Sequence, residues 1–210
     1  MISILIKDID SLFMSGMRFF FNDFFAHHYY ESVSFLEEYH SENIARADII
    51  VLSLCKGERY TCFPELQART RGIIIGLVDE EQTHELSPGC LSDIVYITRS
   101  SSLTDMAEKV NAVWKKWKAL QKFDNLPHCL WCKHRQMSEH QFQIMGYFHQ
   151  GIAIKSIAKD LGMSSKTIFA HKYLVMQKFN LRNDIELKYF LDMLVKKESI
   201  LNSFRQRVVR

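Results

Sequence analysis

The chain has 210 residues, 47% hydrophobic and 24% charged, a composition that excludes a disordered or low-complexity protein and supplies apolar material for one large or two small cores. The net charge of +3 hides a split: residues 1–124 hold 13 basic and 18 acidic side chains (net −5), and residues 125–210 hold 14 and 6 (net +8). Such a split is either a chance asymmetry of surface charge or a sign that only the second half meets a polyanion.

The opening MISILIKDID has a short apolar run that acids interrupt early, so no signal peptide is expected. No stretch approaches the roughly 20 apolar residues of a membrane span. The five cysteines are scattered and odd in number, which argues against a disulfide framework and for thiols in a reducing cytoplasm.

Residues 2–6 form an apolar run closed by Asp8 and Asp10, as in a buried strand that opens into a polar pocket. Residues 14–25 have helical spacing, with Met17, Phe20, Phe21, Phe24 and Phe25 on one core-facing side. Three further short, β-branched runs, 48–53, 72–78 and 93–97, read as strands buried on both faces. Residues 102–122 read as a helix opened by serine caps. Residues 123–136 break the periodicity around Pro127 and are expected to be a linker between a first domain, 1–122, and a second, 137–197, with a solvated tail at 198–210.

The second domain reads as four helices. Ser138 to Gln141 fits a capping box, and Gly151 ends the helix it opens. Helices follow at about 154–161, 165–179 and 184–195. Between the second and third, Gly162 permits a tight turn, and Ala158, four residues earlier, permits close helix approach. Ile157, Leu161, Met163 and Ile168 supply the apolar contacts of a helix-turn-helix.

At 100° per residue the third helix divides into two sectors. Ile168, Lys172, Val175 and Phe179 face the core, with His171 at the edge and Lys172 snorkelling out. Lys166, Phe169, Ala170, Tyr173 and Gln177 face outward. An outward face bearing Phe and Tyr but no acid suits a DNA major groove, where Ala and Phe meet thymine methyls and Lys, Gln and Tyr reach base edges. Ser164, Ser165 and Thr167 at the helix start are placed for a phosphate, and Lys166, Lys172 and Lys178 add backbone charge. Lys172→Ala is therefore expected to weaken binding to every sequence and lower the salt slope. A plain amphipathic helix in a small bundle is the bland alternative.

GIAIKSIAKDLGMSSKTIFAHKYLVMQKFNLRNDIEL resembles the LuxR/FixJ-type (NarL-like) helix-turn-helix of bacterial response regulators. The matching residues are Gly151, Ile157, Ala158, Leu161, Ser164, Lys166, Thr167, Ile168, His171, Lys178 and Leu187. Within the family, SSKTIFAHKYLVMQKF and NDIELKYFL most resemble the enterobacterial Rcs capsule-synthesis regulators and their auxiliary relatives. The resemblance implies an α/β receiver-like domain, a five-stranded parallel sheet with flanking helices, ahead of an all-α four-helix domain. It implies that the third helix reads DNA and the fourth pairs two protomers, in a homodimer or with a related regulator. By position, Phe169, Ala170 and Tyr173 fall where family members contact bases.

A working receiver needs an acidic pair after the first strand for Mg²⁺, an Asp acceptor ending the third strand, a hydroxyl after the fourth and a Lys after the fifth. Here the pair aligns as Asp8 and Ile9, the acceptor position is Ser53, the hydroxyl position falls near Gly76 or Leu77, and the Lys position on Thr98 or Arg99. With one carboxylate and no Asp acceptor, the site is expected to be a degenerate, phosphorylation-independent receiver, with Asp8 and Arg99 its residual pocket.

The segment His128-Cys129-Leu-Trp-Cys132-Lys-His134 holds four possible zinc ligands in seven residues. Structural zinc usually joins two separated ligand pairs, so an ordinary linker is preferred and no metal or cofactor is expected. No catalytic spacing emerges from the remaining histidines, and no G-x-S-x-G or phosphate-binding glycine loop is present. A DNA-binding regulator is favoured over an enzyme. A partner that acts mainly through a heterodimer is the alternative.

Overall fold

A computed structural model describes residues 1–80, 88–120, 132 and 134–208, with side chains through Lys197. The chain divides into two compact units, one of residues 1–54 and 62–134, the other of residues 55–61 and 135–210.

The first unit is built on five parallel strands: β1 (Ile2–Lys7), β2 (Val33–Leu36), β3 (Ile49–Ser53), β4 (Ile73–Val78) and β5 (Val95–Thr98). Their order is β2-β1-β3-β4-β5, so the chain reverses direction across the sheet between β1 and β3. Helix α1 (Ser11–Tyr29) follows β1, α2 (Ser41–Arg46) follows β2, and α3 (Leu103–Leu120) follows β5.

Alternation along the strands assigns each side chain to one of two cores. Ile49, Val51, Ile73 and Ile75 pack with Phe21, Phe25, Val110 and Trp114 on the side of α1 and α3. Ile50, Leu52 and Ile74 pack with Ile44, Phe63, Leu66 and Leu91 on the other. Burial on both faces is why these strands appear as unbroken apolar runs. Strand β2 did not announce itself that way, because VSFL is a half-buried edge strand beside Glu31, Glu37 and Glu38.

The helix predicted from residue 14 starts at Ser11, because Asp10 caps it: its Oδ1 accepts from the N–H groups of Leu12 and Phe13, both at 3.0 Å. Between β3 and β4 the expected flanking helix is reduced to 3₁₀ turns, Glu58–Tyr60 and Pro64–Ala68. Ahead of β5 stands another, Gly89–Leu91.

The second unit holds α4 (Glu139–His149), α5 (Ile154–Asp160), α6 (Ser165–Lys178) and α7 (Asp184–Val208). Ser138 and Gln141 complete the capping box that opens α4. Helix α7 runs to Val208, so the predicted end near 195 falls short and residues placed in a solvated tail are helical through that point.

The core of this unit gathers Ile144, Met145, Ile157, Ile168, Val175, Phe179, Leu187 and Phe190. Phe142 is exposed, while Gln141, the partner of Ser138 in the capping box, is buried. The seven-residue insert 55–61 belongs here too. Tyr60 is 2% exposed in this core, its ring lies 3.7 Å from the Arg135 guanidinium, and its carbonyl accepts from the Arg135 N–H at 2.9 Å. Lys197 donates to Glu58 Oε1 at 3.2 Å and to Thr61 Oγ1 at 3.0 Å.

Candidate nucleic-acid interface and receiver-like pocket

Helices α5 and α6 meet at Gly162, whose φ of +63° is the left-handed turn that the sequence demanded of a glycine. The Met163 N–H donates to the Ala158 carbonyl at 2.9 Å and closes the turn. Ala158 and Ile157 are buried against α6, as the spacing predicts.

Ser164 is the N-cap of α6. Its Oγ accepts from the Thr167 N–H at 3.1 Å and lies 2.8 Å from Thr167 Oγ1. The cap satisfies one N–H of the first turn, and the others project beside the exposed Ser165 and Lys166. With no acid in that turn, the partial positive charge of the helix end is uncompensated by side chains.

Along the helix, Ile168, Val175 and Phe179 are buried, while Phe169 is 56% and Tyr173 58% exposed. Lys166, Ala170 and Gln177 share that exposure. Gln177 Nε2 donates to Tyr173 Oη at 3.1 Å, so these two polar ends are held as a pair. Leu174, 50% exposed, extends this surface; it lies four residues after Ala170, a spacing that would have disclosed it.

Lys172 departs from expectation. It is 8% exposed, and its ammonium group, instead of snorkelling out to a phosphate, lies 2.6 Å from Asp184 Oδ1 at the start of α7. That partner sits twelve residues away in another helix, beyond the reach of a single-helix projection. Lys172 is thus held by an ion pair within the helical unit. Lys178 is similarly committed, donating to the Gln136 carbonyl at 2.7 Å. His171 is half-buried beside this core.

In the first unit, the structure brings Asp8, Ser53 and Arg99 together at the carboxyl ends of β1, β3 and β5, where ligands bind in doubly wound sheets. Arg99 Nη2 donates to Asp8 Oδ2 and, at 2.6 Å, to Ser53 Oγ. The Asp8 side chain is fully buried, and its second oxygen accepts from the Asp10 N–H at 2.9 Å. The guanidinium also stacks 4.3 Å from the Phe13 ring centre. Asp10 is occupied in capping α1, and Gly76 and Leu77 offer no hydroxyl on β4.

Mg²⁺ requires several oxygens in a tight octahedron. Here the buried carboxylate is neutralised by an arginine and the neighbouring one holds a helix end, so the residues present do not fit that ion.

Residues 135–190 match the family model described as "Bacterial regulatory proteins, luxR family". The second unit carries a luxR-family helix-turn-helix domain. The chain is 37% identical over 51 residues to the "Transcriptional regulatory protein UhpA" of Escherichia coli (strain K12), a match covering 24% of this chain and 26% of that protein. The chain thus spans about a quarter of the length of this curated relative. Over nearly the whole chain the fold is that of two solved structures. The "two-component response regulator RcsB-DNA complex" has a TM-score of 0.53 at 21% identity, over 91% of this chain and 98% of that one. "Two RcsB dimers bound to two parallel DNAs" has a TM-score of 0.54 at the same identity and coverage. A receiver-like α/β unit followed by a luxR-type helical unit is therefore the architecture. Among the described residues, no helix is long and apolar enough to cross a membrane.

Proposed function

We propose that the protein is a DNA-binding transcriptional regulator of the cytoplasm that reads duplex DNA through α6, pairs through α7 and works without aspartyl phosphorylation. The observation that carries this reading is the outward face of α6, where Phe169, Ala170, Tyr173 and Gln177 are exposed beside a cationic, acid-free helix start. Large aromatics left in water have no folding rationale at this place, whereas a major groove accepts them. The RcsB structures of the same fold contain DNA, which supports the assignment. On α7, Ile185 and Tyr189 are 68% and 64% exposed four residues apart, an apolar stripe suited to a second protomer.

Ser53 and the arginine that already neutralises Asp8 support phosphorylation independence. A site neutralised from within receives no phosphoryl input of its own. That same feature favours a second arrangement, a heterodimer in which a related regulator supplies the input.

The test is fluorescence anisotropy of the full chain on fragments selected from a genomic pool, with and without acetyl phosphate and Mg²⁺. The expected result is steeply salt-dependent binding, unaltered by the phosphodonor, with the protein's mass unchanged. A phosphoryl adduct on an aspartate of the first unit would overturn the reading. Binding that appears only when a related regulator is added would select the heterodimer.

A further inference from the structure

Three cysteines and a histidine from distant parts of the chain converge in the first unit. Cys132 Sγ lies 3.8 Å from Cys90 Sγ, and Cys90 Sγ lies 4.0 Å from Cys62 Sγ. Cys62, Cys132 and His134 place their ligand atoms within 4.8 Å of one another. Cys90 and Cys132 are buried, and Cys62 and His134 are half-buried. We propose that Cys62, Cys90, Cys132 and His134 form a structural Zn²⁺ site.

The spacing of the sulfurs bears on three chemistries. A disulfide requires an S–S distance of about 2.05 Å, whereas the separations from Cys90 are 3.8 and 4.0 Å and Cys62, Cys90 and Cys132 are unbridged. Cys90 and Cys132 belong to the apolar core, but core filling alone does not account for the His134 imidazole beside Cys62 and Cys132. Tetrahedral zinc with Zn–S bonds of about 2.3 Å sets its sulfurs about 3.8 Å apart, which is the observed edge.

The surroundings match a thiolate site as well. The Phe63 N–H points at Cys90 Sγ from 3.3 Å, a donor that stabilises a charged sulfur. His134 Nδ1 lies 2.8 Å from the Cys132 carbonyl oxygen. With Nδ1 donating to that carbonyl, Nε2 is the coordinating nitrogen and the ring is held in orientation, as zinc-bound histidines usually are.

The four ligands also sit where the fold most needs a staple. Cys62 precedes the 3₁₀ turn Pro64–Ala68, Cys90 lies in the turn Gly89–Leu91, and Cys132 and His134 end the unit. In the first two of these segments short turns stand in place of full helices. A metal joining them replaces helix packing with a crosslink whose binding energy is folding energy.

The full chain, purified in reducing buffer without added chelator, should contain one zinc per chain by elemental mass spectrometry. Cys90→Ser and Cys132→Ser should each reduce the content to background, while Cys55→Ser, outside the cluster, should retain it. Because a ligand variant may fail to fold, the wild-type chain provides a second measurement. Stripped with a chelator, it should lose thermal stability, then take up one equivalent of Co²⁺ with thiolate charge-transfer and tetrahedral d–d absorption. Wild-type protein that carries no zinc and gives no such cobalt spectrum overturns the proposal. So does retention of full zinc content by both ligand variants. None of these readouts involves DNA, so their failure and failure of the regulator reading are separable.

Discussion

The pocket at the end of β1, β3 and β5 and the outward face of α6 solve opposite problems. In the pocket, a buried carboxylate, a hydroxyl and a guanidinium satisfy one another. On α6, two aromatics stand exposed along a helix whose first turn carries no acid. The contrast teaches that polar residues at the carboxyl end of a sheet can satisfy one another, while apolar residues on a helix face can stay exposed. Burial and pairing separate the two cases; residue type does not.

The largest expected effect sharpens the second half of that contrast. Phe169→Ala combined with Tyr173→Ala should weaken binding to a selected duplex by on the order of 100-fold or more, from about 1–3 kcal/mol per base contact. Thermal melting should barely move, because both side chains are more than half exposed. Equal loss on selected and random duplexes would contradict base reading by this face.

Asp8→Ala addresses the first half and should behave in the opposite way. It leaves Arg99 beside Ser53 without its carboxylate, and breaking a buried pair costs about 3–5 kcal/mol. Arg99 is itself partly solvated, so about 2 kcal/mol is expected in denaturant unfolding of the first unit. DNA affinity, measured where the variant is folded, should stay within about twofold of wild type if the pocket serves stability alone. A larger change in affinity would break the separation between the two sites.

The smallest effect distinguishes two lysines of one helix. Lys166→Ala should lower the salt slope of DNA binding by about 1, as removal of a phosphate contact does. Lys172→Met should leave the slope unchanged and act on stability, because its ammonium belongs to Asp184. A matching fall in slope for Lys172→Met would restore it to the DNA surface.

Much of this was legible in sequence where the physics is local. The turn at Gly162, the cap at Ser164 and the division of α6 into two faces follow from backbone geometry and a 3.6-residue period. Strands β1, β3 and β4 declared themselves by burial on two faces; the run at 93–97, expected to be buried likewise, is an edge strand in which only Ile97 is buried, and β2, at the opposite edge, had no comparable pattern. Long-range pairing was invisible. Nothing near Lys172 named Asp184, and a projection of one helix could show only that the lysine lay in the core sector.

The cysteines give the same lesson with more force. Read as a short C-x-x-C, residues 128–134 lacked the second, separated ligand pair that zinc prefers. His128 and Cys129 lie outside the described residues, but Cys62 and Cys90 arrive from 70 and 42 positions before Cys132. The parallel sheet, not the local spacing, brings them there.

The insert 55–61 has a practical bearing on how the helical unit can be studied. A fragment beginning at Arg135 would lack Tyr60 from its interior and would leave Lys197 without Glu58 and Thr61. Its folding and solubility would report on a damaged body with a hole in it. The helical unit of this protein is not a contiguous stretch of the polypeptide, and any excision, graft or domain exchange has to carry seven residues borrowed from the middle of the other half.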